Sequence, residues 1–196
     1  DGARLSYRVT PYSRIAIVGG QPVEPFVTTT IDYDQQLVGL SFEALEWIPG
    51  LDVEVFAIQQ WAESLTDRTA IGTEFSYAGD GHFLAGQVDF DVHFMELNTA
   101  FVVGNWQATR DTNLNLLLDW RKLPFLSTRN ALFGQLEDDL DDLRVRFGSG
   151  EIEDLAEDRT ARSRSATLGM THRLTERFQL AMDVGISDLS GTPASG

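Results

Sequence analysis

Among the 196 residues there is no cysteine, which excludes a disulfide framework and a thiolate metal site. Long apolar runs are missing as well. Nothing approaches the roughly eighteen consecutive apolar residues of a spanning helix, so any contact with a bilayer has to be made by strands. Basic residues are few: 15 Lys and Arg stand against 30 Asp and Glu, a net charge of −15. That balance repels nucleic-acid phosphates and disfavours a broad basic face for anionic lipid. It permits a cation-attracting surface or lumen. No G-x-S-x-G elbow and no phosphate-cradling glycine loop occurs. Any pair of carboxylates chosen from thirty would prove nothing, so no catalytic centre, cofactor or metal is expected.

What is present is a period-two pattern. From Gly81 to Arg121, Leu84, Val88, Phe90, Val92 and Phe94 share one parity, and Gln87, Asp89, Asp91 and His93 hold the other. Leu114, Leu116, Leu118 and Trp120 alternate with Asn113, Asn115, Asp119 and Arg121, while residues 97 to 107 are more apolar. Side chains on a strand point alternately to the two faces of its sheet. These strands would be about 10 to 12 residues long against a usual five or six, the length a tilted membrane-spanning strand needs.

The same pattern recurs along the chain. Leu5, Tyr7 and Val9 alternate with Arg4 and Arg8, and a second strand follows Thr10-Pro11, with Gly19-Gly20 marking a bulge or a close backbone approach. Residues 22 to 34 read as a polar loop. Val38, Leu40 and Phe42 oppose Ser41 and Glu43; Val53 and Val55 oppose Asp52 and Glu54; Ile71, Thr73 and Phe75 oppose Arg68 and Glu74. Phe178, Leu180, Met182, Val184 and Ile186 alternate with Gln179, Asp183 and Ser187 in the last and cleanest strand. About ten strands result, joined by short turns near residues 10, 49, 79, 109 and 175 and by other links near 28, 65, 96 and 140. Residues 122 to 160 break the pattern: Leu132, Leu136, Leu140 and Leu143 fall on one helical face, and a second helical stretch covers 151 to 157.

The expectation is an all-β, antiparallel, up-and-down transmembrane barrel segment spanning residues 1–196 of a longer chain, with a helical insert at 122–160. Its lipid face would carry Leu84, Val88, Phe90, Val92, Leu114, Leu116, Leu118, Phe178, Leu180, Met182 and Val184. Gln87, Asp89, Asp91, His93, Asn115, Asp119 and Asp183 would face a watery lumen. Asp89, Asp91 and His93 on one strand face would suit a metal or proton site, but a water-facing wall is polar in any case. His82 and His172 read as surface residues near turns. The acidic run Asp138, Asp139, Asp141 and Asp142 lacks the spaced ligands and central glycine of a calcium loop and reads as a solvated helix face. Arg159, Arg162 and Arg164 follow it. If the insert enters the lumen, acids facing this arginine row would set a transverse field; otherwise the insert is an outer loop. Trp47, Trp61, Tyr77, Trp106 and Trp120 lie near strand ends, as aromatic girdles do.

Asp89-Phe90-Asp91-Val92, Asn113-Leu114-Asn115-Leu116, Asp119-Trp120-Arg121-Lys122, Asp158-Arg159-Thr160-Ala161 and Leu189-Ser190-Gly191-Thr192-Pro193 resemble the barrel region of large bacterial outer-membrane proteins, where a tetratricopeptide-repeat region often precedes the barrel. The resemblance implies a Gram-negative outer membrane, outer-membrane lipid as a partner, and a role in export or envelope assembly with envelope or secretion components. A pore or export channel for a hydrophilic solute or polymer is the expected function. The competing reading is a soluble or periplasmic β-sandwich that binds carbohydrate or a protein, its apolar face packed on a second sheet.

Overall fold

The ten expected strands form one antiparallel sheet in which each strand pairs with its neighbours in sequence. The structure is a computed structural model that describes residues 2–21, 35–137 and 139–191. The loop expected over 22 to 34, Asp138 and the tail from Thr192 to Gly196 lie outside the described residues. The strands are β1 (Gly2–Thr10), β2 (Ser13–Gly20), β3 (Gln35–Ile48), β4 (Leu51–Ala62), β5 (Leu65–Gly79), β6 (His82–Asp91), β7 (Glu96–Thr109), β8 (Thr112–Leu123), β9 (Ala161–Arg173) and β10 (Gln179–Ser190). The sheet is open: β1 and β10 each have one neighbour.

Five short turns join strands at one end of the sheet. Two of them rely on glycines at φ 79° and 72°, Gly50 and Gly81, a region that side-chain-bearing residues avoid. Among the described residues, the links after β4 and β6 and the insert after β8 lie at the opposite end. The register decides which side chains share a face, because directly opposed residues point the same way. One transverse row runs Tyr7, Ile15, Phe42, Val55, Thr73, Val88, Ala100, Trp120, Arg164, Asp188. It climbs as it goes. Tyr7 lies three residues from the short-turn end of β1 at Thr10, whereas Asp188 lies nine from the short-turn end of β10 at Gln179. A climbing row is the mark of strands tilted and staggered relative to one another.

The apolar parity holds as the sequence reads it for Leu84, Val88, Phe90, Leu114, Leu116, Leu118, Leu180, Met182 and Val184, which the register places on one face. Two residues of that list fall outside strands: Val92 follows β6 and Phe178 precedes β10. His93 also leaves the pattern. β6 stops at Asp91, whose carboxylate accepts hydrogen bonds from the backbone N–H groups of His93 (2.8 Å) and Phe94 (3.1 Å), and this turns the chain out of the strand. Gly19 and Gly20 sit in unbroken register with both neighbours, so they mark no bulge. The register shifts occur elsewhere, for example between Asp89 and Phe90.

The insert runs between β8 and β9, and its core is the molecule's only cluster of fully buried side chains among the described residues. Leu126, Ala131, Leu140, Leu143, Ile152 and Ala156 pack together with Ala62 and Phe94 from the adjoining strand and turn. It contains a 3-10 turn (Thr128–Leu132) and helices α1 (Leu140–Phe147) and α2 (Ser149–Asp158). The single apolar helical face expected from Leu132 to Leu143 does not form. Gly134 adopts φ 74° and breaks the chain after the 3-10 turn, leaving Leu136 exposed and only Leu140 and Leu143 buried in α1.

Candidate functional site

The second face of the sheet is polar, concave and charged. Its central row runs Arg8, Arg14, Glu43, Glu54, Glu74, Gln87, Phe101, Asp119, Ser165, Ser187. Three glutamates on three successive strands therefore stand directly opposite one another, an arrangement that costs stability unless it is offset. Part of the offset comes from the first two strands. Arg4 and Arg14 reach the Glu43 carboxylate at 2.7 and 3.2 Å. Glu54 and Glu74 make no ion pair among the described residues. Curling of the sheet brings Arg4 of β1, Glu54 of β4 and Asp89 of β6 to one cavity of about 450 Å³, which Phe125 of the insert also lines.

A buried charge cluster sits between this wall and the insert. The Arg68 guanidinium pairs with Asp89 and lies 3.5 Å from Asp91, and its other face meets the Phe125 ring at 5.6 Å. The two acids come from alternate positions of β6 and the arginine from β5, so the pairing needs the register of two strands. On the same face Phe56 occupies the space a Cβ would take at Gly72. A bare backbone there lets an aromatic ring lie flat on the wall.

The expected lumen residues divide as follows. Gln87, Asp89, Asp91 and Asp119 belong to the polar face, Asp119 held by Arg121 at 2.5 Å. Asn115 is there too, accepting a hydrogen bond from Asn105 at 2.6 Å, and so is Asp183, opposite Gly169. His93 is apart from them, in the turn after β6, 3.4 Å from Glu153 of α2. Asp89, Asp91 and His93 thus form no ligand set, and no group of three or more ligating side chains occurs among the described residues.

The acidic run has a local task. The Asp139 carboxylate caps α1 by accepting from the Asp142 N–H at 2.7 Å, and Asp141 and Asp142 occupy the first turn, where negative charge complements the helix dipole. Asp138 lies outside the described residues. Among those described, no ion pair joins the run to Arg159, Arg162 or Arg164, so the expected facing of acids and arginines is not formed. Arg159 caps the end of α2, and Arg164 shares the face of its cross-strand partner Trp120. The transverse row of opposite charge lies instead across β1 to β5, between Arg4 and Arg14 on one side and Glu54 and Glu74 on the other.

Sequence reasoning missed Arg14, Glu43, Glu54, Glu74 and Arg68 as a constellation. Each was visible as the polar partner in an alternating strand, but only pairing registers stack them in one row. The insert's attachment was equally hidden. Asn98 binds the backbone of Leu126, Thr128 donates to the Thr66 carbonyl at 2.7 Å, and the Glu63 carboxylate accepts from the N–H groups of Leu140 (3.1 Å) and Asp141 (2.9 Å).

Of the five aromatic residues expected in girdles, four are register-paired on the apolar face: Tyr77 and Trp106 toward the short turns, Trp61 and Trp120 toward the end that carries the insert. Trp47 is exposed near the end of β3. Comparison of the whole chain with models of known protein families, with characterised proteins and with solved structures finds no match in any of the three.

Proposed function

We propose that this chain is the wall of a bacterial outer-membrane β-barrel that passes a hydrophilic solute or polymer, and that it has no catalytic centre of its own. One observation carries the reading: the register places most of the exposed large apolar side chains on one face and the row of charged residues from Arg8 to Asp119 on the other. Leu5, Ile17, Leu40, Ile71, Leu168 and Val184 are each more than half exposed on that face. A continuous apolar surface of this extent needs a cover, and lipid supplies one.

The dimensions support the same reading. Leu51, the partner of Tyr77, is ten residues from Trp61 on the same strand and face. Ten residues span about 33 Å, or roughly 25 Å when the strand tilts by about 40°, the height of the apolar band of outer-membrane barrels. Embedding requires the free edges of β1 and β10 to be paired, because unpaired backbone is not tolerated in hydrocarbon. The two edge strands run antiparallel, the sense that neighbouring barrel strands need. A soluble sandwich would require a second sheet over the apolar face, whereas all ten strands belong to one sheet.

The test is membrane fractionation with gel mobility before and after heating, followed by conductance in planar bilayers. Faster migration without heating, together with ion conductance, supports the barrel. A soluble protein with no heat shift overturns it.

A further inference from the structure

Charge on the apolar face is confined to one corner. Among the register-paired positions of that face, with His82 and His172 at the short-turn end set aside, the only acidic or basic residues are Lys122, Arg162, Arg164 and Asp188. All four are near the long-link end, in or above the climbing row, with Trp120 among them. An arginine facing lipid costs about 2–4 kcal/mol at the bilayer midplane and about 0–1 near the interface. Along β9, Arg164 stands nine residues from the short-turn end at Arg173, about 30 Å along the strand and roughly 23 Å in height at a tilt of about 40°. That is the upper edge of the apolar band.

Neither arginine is saturated by partners among the described residues. The Glu96 carboxylate pairs with Lys122 and, more loosely at 3.9 Å, with Arg162. Arg162 also lies over the Trp120 ring at 5.7 Å, and its buried Nε has no hydrogen-bond partner. Arg164 is opposite Asp188 in register but makes no ion pair with it among the described residues. A planar guanidinium presents its donors in a fork that suits phosphate oxygens.

We infer that Trp120, Arg162 and Arg164 form a docking site for the phosphate group of an anionic membrane lipid, on the outside of the barrel at the rim that carries the insert. The inference rests on the membrane reading above and adds a lipid preference to it. The whole-chain charge of −15 disfavours a broad basic face, and this site is a local exception built from two residues.

The full chain is refolded into phosphatidylcholine nanodiscs with and without phosphatidylglycerol. Insertion is read from heat-modifiable mobility, and lipid retention from native mass spectrometry. Enrichment of phosphatidylglycerol around the wild-type protein is expected, weakening as salt is raised. Each arginine near a charged membrane surface contributes on the order of 1 kcal/mol, so Arg162→Gln and Arg164→Gln should each reduce the enrichment about fivefold. Arg177→Gln, in a short turn at the other end, should leave it unchanged. Arg162→Lys with Arg164→Lys keeps the charge and should retain part of the enrichment, which separates phosphate recognition from misfolding. Insertion without enrichment, or enrichment that survives the double glutamine variant, overturns the lipid site and leaves the barrel standing. Failure to insert in either lipid overturns both.

Discussion

Asn98 of β7 and Leu126 of the insert hold each other through two hydrogen bonds: the Asn98 Oδ1 accepts from the Leu126 N–H at 2.8 Å, and its Nδ2 donates to the Leu126 carbonyl at 3.3 Å. Both residues are fully buried. Leaving a buried backbone donor and acceptor unpaired costs about 1–3 kcal/mol each. Asn98→Ala should therefore loosen the insert without disturbing the strands. Limited proteolysis should then cut within residues 124–160 several-fold faster, while the heat-stable mobility of the sheet is kept. Equal cutting rates would mean that the insert is held elsewhere.

Glu63 makes a second attachment. Its carboxylate accepts from the first two N–H groups of α1, at 3.1 and 2.9 Å, and it adopts φ 53° to do so. Loss of such a cap costs about 1 kcal/mol. Glu63→Ala should speed hydrogen exchange at residues 140 to 143, leaving α2 at its original rate.

Two carboxylates of the insert respond to pH in opposite senses. Partial burial, reinforced by the neighbouring Glu96, Asp154 and Asp158 carboxylates, holds Glu157 above the ordinary 4.5. The folded protein binds this proton more tightly than the unfolded chain, so the contribution of Glu157 is favourable only at low pH and is lost as pH rises from 4.5 through the raised value. Glu157→Gln should accordingly stabilise the insert at pH 7 and give no advantage below pH 4. The hydrogen bond from Arg146 holds Glu137 below 4.5, so Arg146→Gln should weaken the insert at pH 7 and have no effect in strong acid. Thermal melts of both variants at the two pH values check the signs.

Leu117 and Leu118 are 41% and 42% exposed, almost the same, but lie on opposite faces of β8. In the proposed barrel, Leu118→Arg would face lipid within the apolar band, at a cost of up to about 2–4 kcal/mol. Leu117→Arg would face the polar wall beside Val103. Only the first should abolish the heat-modifiable band. If both variants insert equally well, the apolar face does not contact lipid.

In the proposed barrel, Glu54 and Glu74, which make no ion pair among the described residues, would project their field into the passage, and carboxylate rows favour cations. Replacing both with Gln should shift the reversal potential in a salt gradient toward equal permeability. An unchanged potential would place the selective constriction elsewhere.

The sequence by itself determined the strands and which side chains of each share a face. A period of two is written in side-chain chemistry, and alternation such as Leu180, Met182 and Val184 against Gln179, Ala181 and Asp183 has one physical reading. The acidic run before Leu143 was legible as part of a helix, but that Asp139 caps the start of α1 was not. Only the tertiary structure decided what meets what. Register placed Glu43, Glu54 and Glu74 in one row, put Arg162 and Arg164 with Trp120 and away from the acidic run, and closed Arg68 onto Asp89. The turn made by the Asp91 carboxylate removed His93 from its strand, and Gly134 broke the helix that the leucine spacing suggested. These outcomes depend on pairings between residues distant in the chain, and on single backbone angles, neither of which leaves a periodic trace in the sequence.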